Sequence, residues 1–173
     1  MTPRPSAGHG DEGNSRDIVD RDSNVDGNLD GNETSARGQN DARIADLAAT
    51  AAETRTRLTT DPPISDRNSV SIDGQTVSDL EDAALIAARD GLGPVLATYV
   101  EARTGSDWVR FTDTEMQQLH GATSDWLAVY AACHGVDADP DVTVREAAEV
   151  LIDTHNVTDV ADLLTGLHRE HPR

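Results

Sequence analysis

Apolar residues begin to recur at helical spacing at residue 41, where Ile44, Leu47, Ala51 and Leu58 fall on one stripe of the stretch 41–58. Residues three and four apart share one face of a helix, so this spacing predicts an amphipathic helix over 41–58. A single helix of this length is marginal in water, because most helix stability in proteins comes from packing. We therefore expect the stripe to pack on its own domain, on a second copy of the chain or on a partner.

Polar stretches flank this helix on both sides. Residues 1–40 are dominated by Gly, Asp, Asn, Ser and Arg, so they cannot bury enough apolar surface to offset the entropy lost on ordering. We expect a disordered arm over 1–40 and a linker over 59–68, which contains Asp61-Pro62-Pro63. The remaining stretch, 69–173, is long enough for one compact domain with a single core.

Capping signals predict where the helices of this domain begin and end. A Ser or Thr followed three residues later by Glu predicts a capping box, in which each side chain bonds a backbone amide of the other residue. Glycines predict where the helices end, and Pro94 predicts the start of one further helix. The capping boxes are Ser78/Glu81, Thr112/Glu115 and Thr143/Glu146. The predicted helices are 78–91, 94–103, 112–135, 143–155 and 159–168. The third helix breaks near Gly121 if Thr123 or Ser124 caps a new helix there.

The fold class predicted is all-α: a compact domain of five or six short helices, preceded by the disordered arm and the amphipathic helix. Residues 70–77 contain Asp73-Gly74, which suits a type I′ turn, so this stretch is either a small lead-in hairpin or an extended segment. The aromatic residues are expected at the centre of the core, because they bury the most area. They are Tyr99, Trp108, Phe111, Trp126 and Tyr130.

The charge of the chain is unusual. It contains no lysine, and its 14 arginines face 32 acidic residues, for a net charge of -18. Self-repulsion of this size destabilises a compact state in dilute buffer, and salt screens it. The composition resembles that of proteins from extremely halophilic archaea, which keep molar potassium chloride in the cytoplasm. Most of the acidic excess lies in 71–173, so it indicates an adaptation of the folded part to salt rather than an acidic tail.

The chain shows no signal-peptide pattern and no apolar run long enough to cross a membrane. We therefore expect a cytoplasmic protein. Cys133 is the only cysteine, which excludes an intrachain disulfide, and its apolar neighbours indicate a buried structural thiol.

The stretch Asp22–Glu33 carries the oxygen donors of a calcium loop. The acidic and amide residues fall at ligand positions 1, 3, 5, 7, 9 and 12, and Gly27 stands at the sharp turn of position 6. These ligand residues are Asp22, Asn24, Asp26, Asn28, Asp30 and Glu33. The stretch resembles an EF-hand or dockerin-type loop, which implies calcium binding. The alternative is a polar linker, since Asp11–Arg21 lacks the pattern of an entering helix.

The helices predicted over 143–168 have the order of a helix-turn-helix, which makes a transcriptional regulator a further alternative. The second helix would read DNA, yet it offers Asp159 and Asp162 and no basic residue before Arg169. Phosphate contacts need Lys and Arg, so this pattern argues against nucleic acid as a partner.

No phosphate-binding glycine loop, nucleophile elbow or zinc-protease motif is present, so we expect neither an enzyme nor a bound cofactor. The leading interpretation is a non-catalytic, cytoplasmic interaction or regulatory domain of a halophile. Its partner would be another protein, or a second copy of the chain, bound through the helix Ile44–Leu58.

Dialysis from molar potassium chloride into dilute buffer is expected to reduce the helicity of the domain, measured by circular dichroism. The reason is that the Debye length grows from about 3 Å at 1 M to about 30 Å at 0.01 M, which restores the repulsion among the carboxylates. Full helicity in dilute buffer would contradict the halophile interpretation.

Overall fold

The computed structural model describes residues 29–60, 64, 69–105 and 110–167, with side chains from residue 37. Within these residues the fold is all-α apart from one small hairpin, as the sequence predicts. The elements are α1 (Leu29–Thr59), β1 (Val70–Ile72), β2 (Gln75–Val77), α2 (Leu80–Ile86), a π-helical segment (Ala87–Leu92), α3 (Gly93–Thr104), α4 (Asp113–Cys133), α5 (Val144–Thr154) and α6 (Val157–Thr165).

The chain divides into two compact units, residues 1–35 and 36–173. Of the first unit only 29–35 is described, and it forms the beginning of α1. The helix is thus longer than the predicted 41–58, and 29–40, which we expected to belong to the arm, is helical. Once a helix is nucleated by its packed part, each residue that is fixed adds one hydrogen bond, whereas nucleation fixes several residues for the first bond, so extension is much easier than nucleation.

The apolar stripe of α1 packs on its own domain. Ile44, Ala51 and Leu58 are buried in the main core, and Leu47 packs at its edge. Of the three surfaces on which the stripe could pack, the structure shows the chain's own domain, rather than a second copy or a partner. The apolar face of α1 is therefore buried within the second unit.

A branched ion pair also holds α1 in place. One guanidinium nitrogen of Arg55 donates to Asp125 on α4 at 2.8 Å, and the other donates to Asp139 in the loop before α5 at 2.7 Å. The hydrogen bonds with Asp125 and Asp139 raise the pKa of Arg55, and the bond with Asp125 contributes more. Because Arg55 links α1 to α4 and to the loop before α5, these bonds help to fix the position of α1 on the domain. An i,i+4 ion pair within one helix cannot do this.

The hairpin forms as the Asp-Gly signal predicts. Val70 pairs with Val77, Ile72 pairs with Gln75, and Asp73 and Gly74 have φ values of 48° and 75°, as a type I′ turn requires. Val70 and Ile72 are buried in the main core, which gives this otherwise marginal pair of strands its support.

The first predicted helix differs in both its start and its end. Its N-cap is Asp79, whose side chain accepts from the amide of Glu81 at 2.8 Å, so the predicted Ser78/Glu81 capping box is wrong by one residue. The predicted end near Gly91 is also wrong, because α2 continues through the π-helical segment directly into α3. α3 then ends before Gly105, as predicted.

Gly91 has a packing role instead. It is buried, and a Cβ added to it would lie 2.5 Å from two atoms of the Trp126 indole. The glycine therefore allows the π-helical segment to lie directly against the central aromatic ring of α4. From the sequence alone, Gly91 predicts a helix end, because its close approach to Trp126 exists only once the π-helical segment packs on α4.

The remaining caps follow the sequence closely. Both hydrogen bonds of the capping boxes at Thr112 and Thr143 are formed. α4 runs without a break and ends before Gly135, and α5 ends at His155. The last helix starts earlier than predicted, because the side chain of Asn156 caps it, and Gly166 ends it.

The aromatic residues divide between the core and its edge. Trp126, Tyr130 and Tyr99 are buried, whereas Phe111 is only partly buried and stacks on Tyr99 with 5.8 Å between ring centroids. Trp108 lies outside the described residues. The expected central position is thus confirmed for three of them.

Gly91→Ala is expected to destabilise the domain by about 1–3 kcal/mol, because the rigid indole of Trp126 cannot yield to the added methyl group. The matched control is Gly121→Ala in the middle of α4, where nothing lies within 4 Å of the added Cβ. That substitution is expected to stabilise by about 1 kcal/mol, the ordinary helix preference for Ala over Gly. Chemical denaturation in high salt measures both, and equal effects would contradict the packing role of Gly91.

A contact between two carboxyl groups joins α1 to the start of α4. Asp41 on α1 hydrogen-bonds to Glu115, which is buried and belongs to the Thr112 capping box. The bond to Glu115, followed by burial, raises the pKa of Asp41. Burial opposes ionisation of Glu115, but hydrogen bonds from Asp41 and from the amide and hydroxyl of Thr112 outweigh it and lower the pKa of Glu115.

Asp41→Asn is expected to raise the melting temperature at pH 7, because the amide donates to Glu115 without adding a second negative charge. A raised folded-state pKa means that Asp41 stabilises the fold when protonated and loses this contribution as the pH rises. The advantage of Asn should therefore shrink below the ordinary Asp pKa of 3.8. Asp46→Asn, on the same helix, is the control for net charge. An equal gain in both variants would contradict the local contact.

Candidate functional site

The structure contains a cleft of about 570 Å³ between α2, α4, the end of α5 and α6. We call it the leucine cleft, because its walls include Leu85 of α2 and Leu163 of α6, together with Ala84. These leucines are 45% and 47% exposed, so they are two of the large apolar side chains that the described fold leaves in water. Nothing in the sequence pattern marks either leucine as a surface residue.

Two ring side chains at the C-terminal end of α4, those of Tyr130 and His134, also line the leucine cleft. Tyr130 donates its hydroxyl proton to Asp162 on α6 at 2.7 Å, which ties α4 to α6. The ring of His134 lies 4.7 Å from that of Tyr130, centroid to centroid. Its Nε2 atom is buried and has no hydrogen-bond partner within the described part of the chain.

The leucine cleft has three acidic lining residues, which we call its rim. Glu81, Asp159 and Asp162 line it, and no arginine does so among the described residues. Carboxylates at the mouth of an apolar cleft attract cationic groups and disfavour anionic ones. The arrangement therefore suits an apolar side chain with positive charge beside it.

A second cleft, of about 420 Å³, lies between α1, the hairpin turn and the π-helical segment. We call it the indole cleft, because Trp126 and Gly91 are among its lining residues. Trp126 is 2% exposed, and its indole N–H has no hydrogen-bond partner among the residues described. Asp46, Asp73 and Asp90 supply the carboxylates of the cleft.

The helix-turn-helix interpretation can be placed on α5 and α6. The ring Nδ1 of His120 accepts from the amide of Val144 at 2.9 Å and so satisfies one of the free amides at the start of α5. α6, the expected reading helix, directs Asp159 and Asp162 toward the leucine cleft. Its described residues include no Lys or Arg.

Most of the calcium loop lies outside the described residues. Asp22, Asn24, Asp26 and Asn28 are among the residues that are not described. Asp30 and Glu33 belong to α1, which begins at Leu29. Calcium binding by Asp22–Glu33 stays a prediction. No group of three or more potential metal ligands is found among the side chains that the structure describes.

Cys133 is buried on α4, and this burial raises the pKa of its thiol to about 12. A nucleophilic cysteine reacts as the thiolate, which such surroundings disfavour at neutral pH. The structure thus agrees with the interpretation of a structural thiol. No described helix is both long and apolar enough to span a membrane.

The described residues form an all-α domain that carries the leucine cleft and the indole cleft. A family model, Domain of unknown function (DUF8055), matches residues 38–169, and the chain belongs to this family. No curated protein and no solved structure matches the chain. The matched stretch begins within α1 and ends beyond α6, so it contains every residue that lines the two clefts.

Proposed function

We propose that this chain is a non-catalytic protein-binding domain of the cytoplasm of a salt-adapted cell. The leucine cleft receives an apolar side chain of a partner protein, and arginine or lysine residues beside it meet the acidic rim. The observation that carries this proposal is the position of Leu85 and Leu163, half exposed on the walls of one cleft.

The apolar walls supply the affinity. Leu85 and Leu163 each leave nearly half of their surface in water. Burial of this exposed part against a partner contributes about 1 kcal/mol of binding free energy per side chain. Isolated exposed leucines are common on protein surfaces, but a pair on the walls of a cleft is typical of a binding site.

The rim supplies the selectivity. Glu81, Asp159 and Asp162 favour a cationic neighbour of the inserted side chain and repel an acidic one. Salt at molar concentration screens charges beyond about 3 Å, so only direct ion pairs at the rim would persist there. Apolar burial is not screened in this way, which suits a domain that works in concentrated salt.

The partner does not need the stripe of α1. Ile44, Ala51 and Leu58 are buried in the domain's own core, so the proposed contact lies on α2 and α6 instead. This moves the interaction surface away from the helix Ile44–Leu58, while the interaction role itself is the one that the sequence suggests.

The test is a calorimetric titration of the full chain, in high salt, with a helical peptide whose two leucines are flanked by arginines. We expect saturable binding that weakens about fivefold in Leu163→Ser and in Leu85→Ser, because each loses an apolar wall worth about 1 kcal/mol. Ile152→Ser is the matched control. Ile152 is 56% exposed on α5 and does not line the cleft, so its variant should bind as the unaltered chain does.

Two further peptides separate the contributions. Replacing the leucines of the peptide by alanine should abolish binding, and replacing its arginines by glutamate should weaken it. Equal binding of the arginine and glutamate peptides, or equal loss in the Ile152 and Leu163 variants, would overturn the proposal. Sizing of the chain alone provides a separate check, since self-association that Leu163→Ser removes would assign the cleft to a second copy.

A further inference from the structure

Exposed arginines lie around one aromatic pair of the domain. Phe111 stacks on Tyr99, and the guanidinium carbon of Arg103 lies 5.4 Å from the centre of the Tyr99 ring. Arg110 directly precedes Phe111 in the chain, and Arg145 adjoins Tyr99 from α5. All three arginines are exposed. We call these five residues the arginine surface.

The arginine surface and the leucine cleft lie at opposite ends of two helices. Phe111 stands just before α4, whereas His134, which lines the cleft, follows the last residue of that helix. Arg145 is in the first turn of α5, and Thr154, the last residue of α5, lines the cleft. At 1.5 Å per residue, the length of α4 separates the two surfaces by about 30 Å. One copy of the chain therefore cannot fill its own cleft with its arginine surface, but a second copy can.

The arginine surface has the chemistry that the leucine cleft requires of a partner. Phe111 is partly exposed and can cover the half-exposed Leu85 and Leu163, while the alkyl stems of the arginines add apolar surface beside it. The guanidinium groups can bond the three carboxylates of the rim. Arg145 already bonds to Glu149 at 3.0 Å. A guanidinium has five N–H donors, so it can bond a further carboxylate beside an existing partner.

The charges favour a head-to-tail contact over a symmetric one. Two leucine clefts that faced each other would place three carboxylates against three, and no Lys or Arg is among the described residues that line either cleft. Like charges that meet across an interface are unfavourable. A contact between the cleft of one copy and the arginine surface of the next pairs opposite charges instead. Such a contact leaves one free surface of each kind, so it continues into a row or a ring of copies.

We infer that the partner of the leucine cleft is a second copy of this chain, bound through its arginine surface. Phe111 of the second copy covers Leu85 and Leu163, and Arg103 and Arg110 beside it bond the acidic rim. The inference rests on the proposed function, because it names the protein that fills the same cleft.

The test is sedimentation velocity of the full chain in high salt over a range of concentrations, which measures the mass of the particles formed. We expect this mass to rise with concentration past twice the mass of the chain, because each head-to-tail contact leaves two surfaces free. The cleft variant, Leu85→Ser with Leu163→Ser, should weaken the association about 25-fold, since each leucine accounts for about fivefold. The surface variant, Arg103→Glu with Arg110→Glu, should weaken it at least about tenfold, because it places carboxylates against the rim.

Mixing the two variants makes the test specific for a head-to-tail contact. At a concentration at which each variant alone stays monomeric, an equimolar mixture should form particles of twice the chain mass and none larger. The reason is that such a pair contains one intact cleft and one intact arginine surface, which bind each other. The control, Arg43→Glu with Arg57→Glu, makes the same change of charge at two exposed arginines of α1 that belong to neither surface. It should associate as the unaltered chain does.

Three results would overturn the inference. They are a chain that stays monomeric at every concentration, a surface variant that associates as the control does, and a mixture that stays monomeric although circular dichroism shows both variants folded. The peptide with two leucines flanked by arginines separates this inference from the proposed function. Binding of the peptide by a chain that stays monomeric would overturn the inference alone, whereas absence of peptide binding as well would overturn both. If both hold, excess peptide should return the particles to the mass of one chain.

Discussion

The close approach of Gly91 to Trp126 is the contact on which the rest of the structure depends. The indole lies at the centre of α4, and any side chain at residue 91 would displace it. The contact keeps α2, the π-helical segment and α3 as one continuous helix against α4. One close approach between residues 35 positions apart in the sequence therefore defines the centre of the core.

α1 completes this core from the N-terminal side. Its buried stripe supplies apolar contact, and Arg55 links it to Asp125 and Asp139. The arginine matters more in this chain than in most, because carboxylates outnumber basic groups by more than two to one. A planar guanidinium can bond two of them at once, whereas an ammonium group acts as a point charge. Pairing of this kind offsets some of the repulsion among the carboxylates.

The two clefts differ in what they ask of a ligand. The leucine cleft has apolar walls, and its lining contains three carboxylates and no Lys or Arg among the described residues, which suits an apolar side chain next to a basic residue. The indole cleft is lined by three carboxylates, those of Asp46, Asp73 and Asp90, and by Arg43. Both clefts lie within residues 38–169, the stretch that defines membership of the family. Among the described residues, some of the carboxylates thus line clefts, while others, such as that of Asp82, are exposed elsewhere.

The sequence by itself determined the features that depend on neighbours in the chain: the all-α class, the capping boxes at Thr112 and Thr143, the Asp73-Gly74 turn and the apolar stripe of α1. Each of these rests on a hydrogen bond or a spacing within a few residues, so the local pattern is sufficient. Tertiary packing alone decided that Gly91 continues a helix, that α1 buries its stripe in its own domain, and that Leu85 and Leu163 share a cleft. These outcomes depend on which surfaces meet across the core, and residues far apart in sequence carry no local signal of their approach.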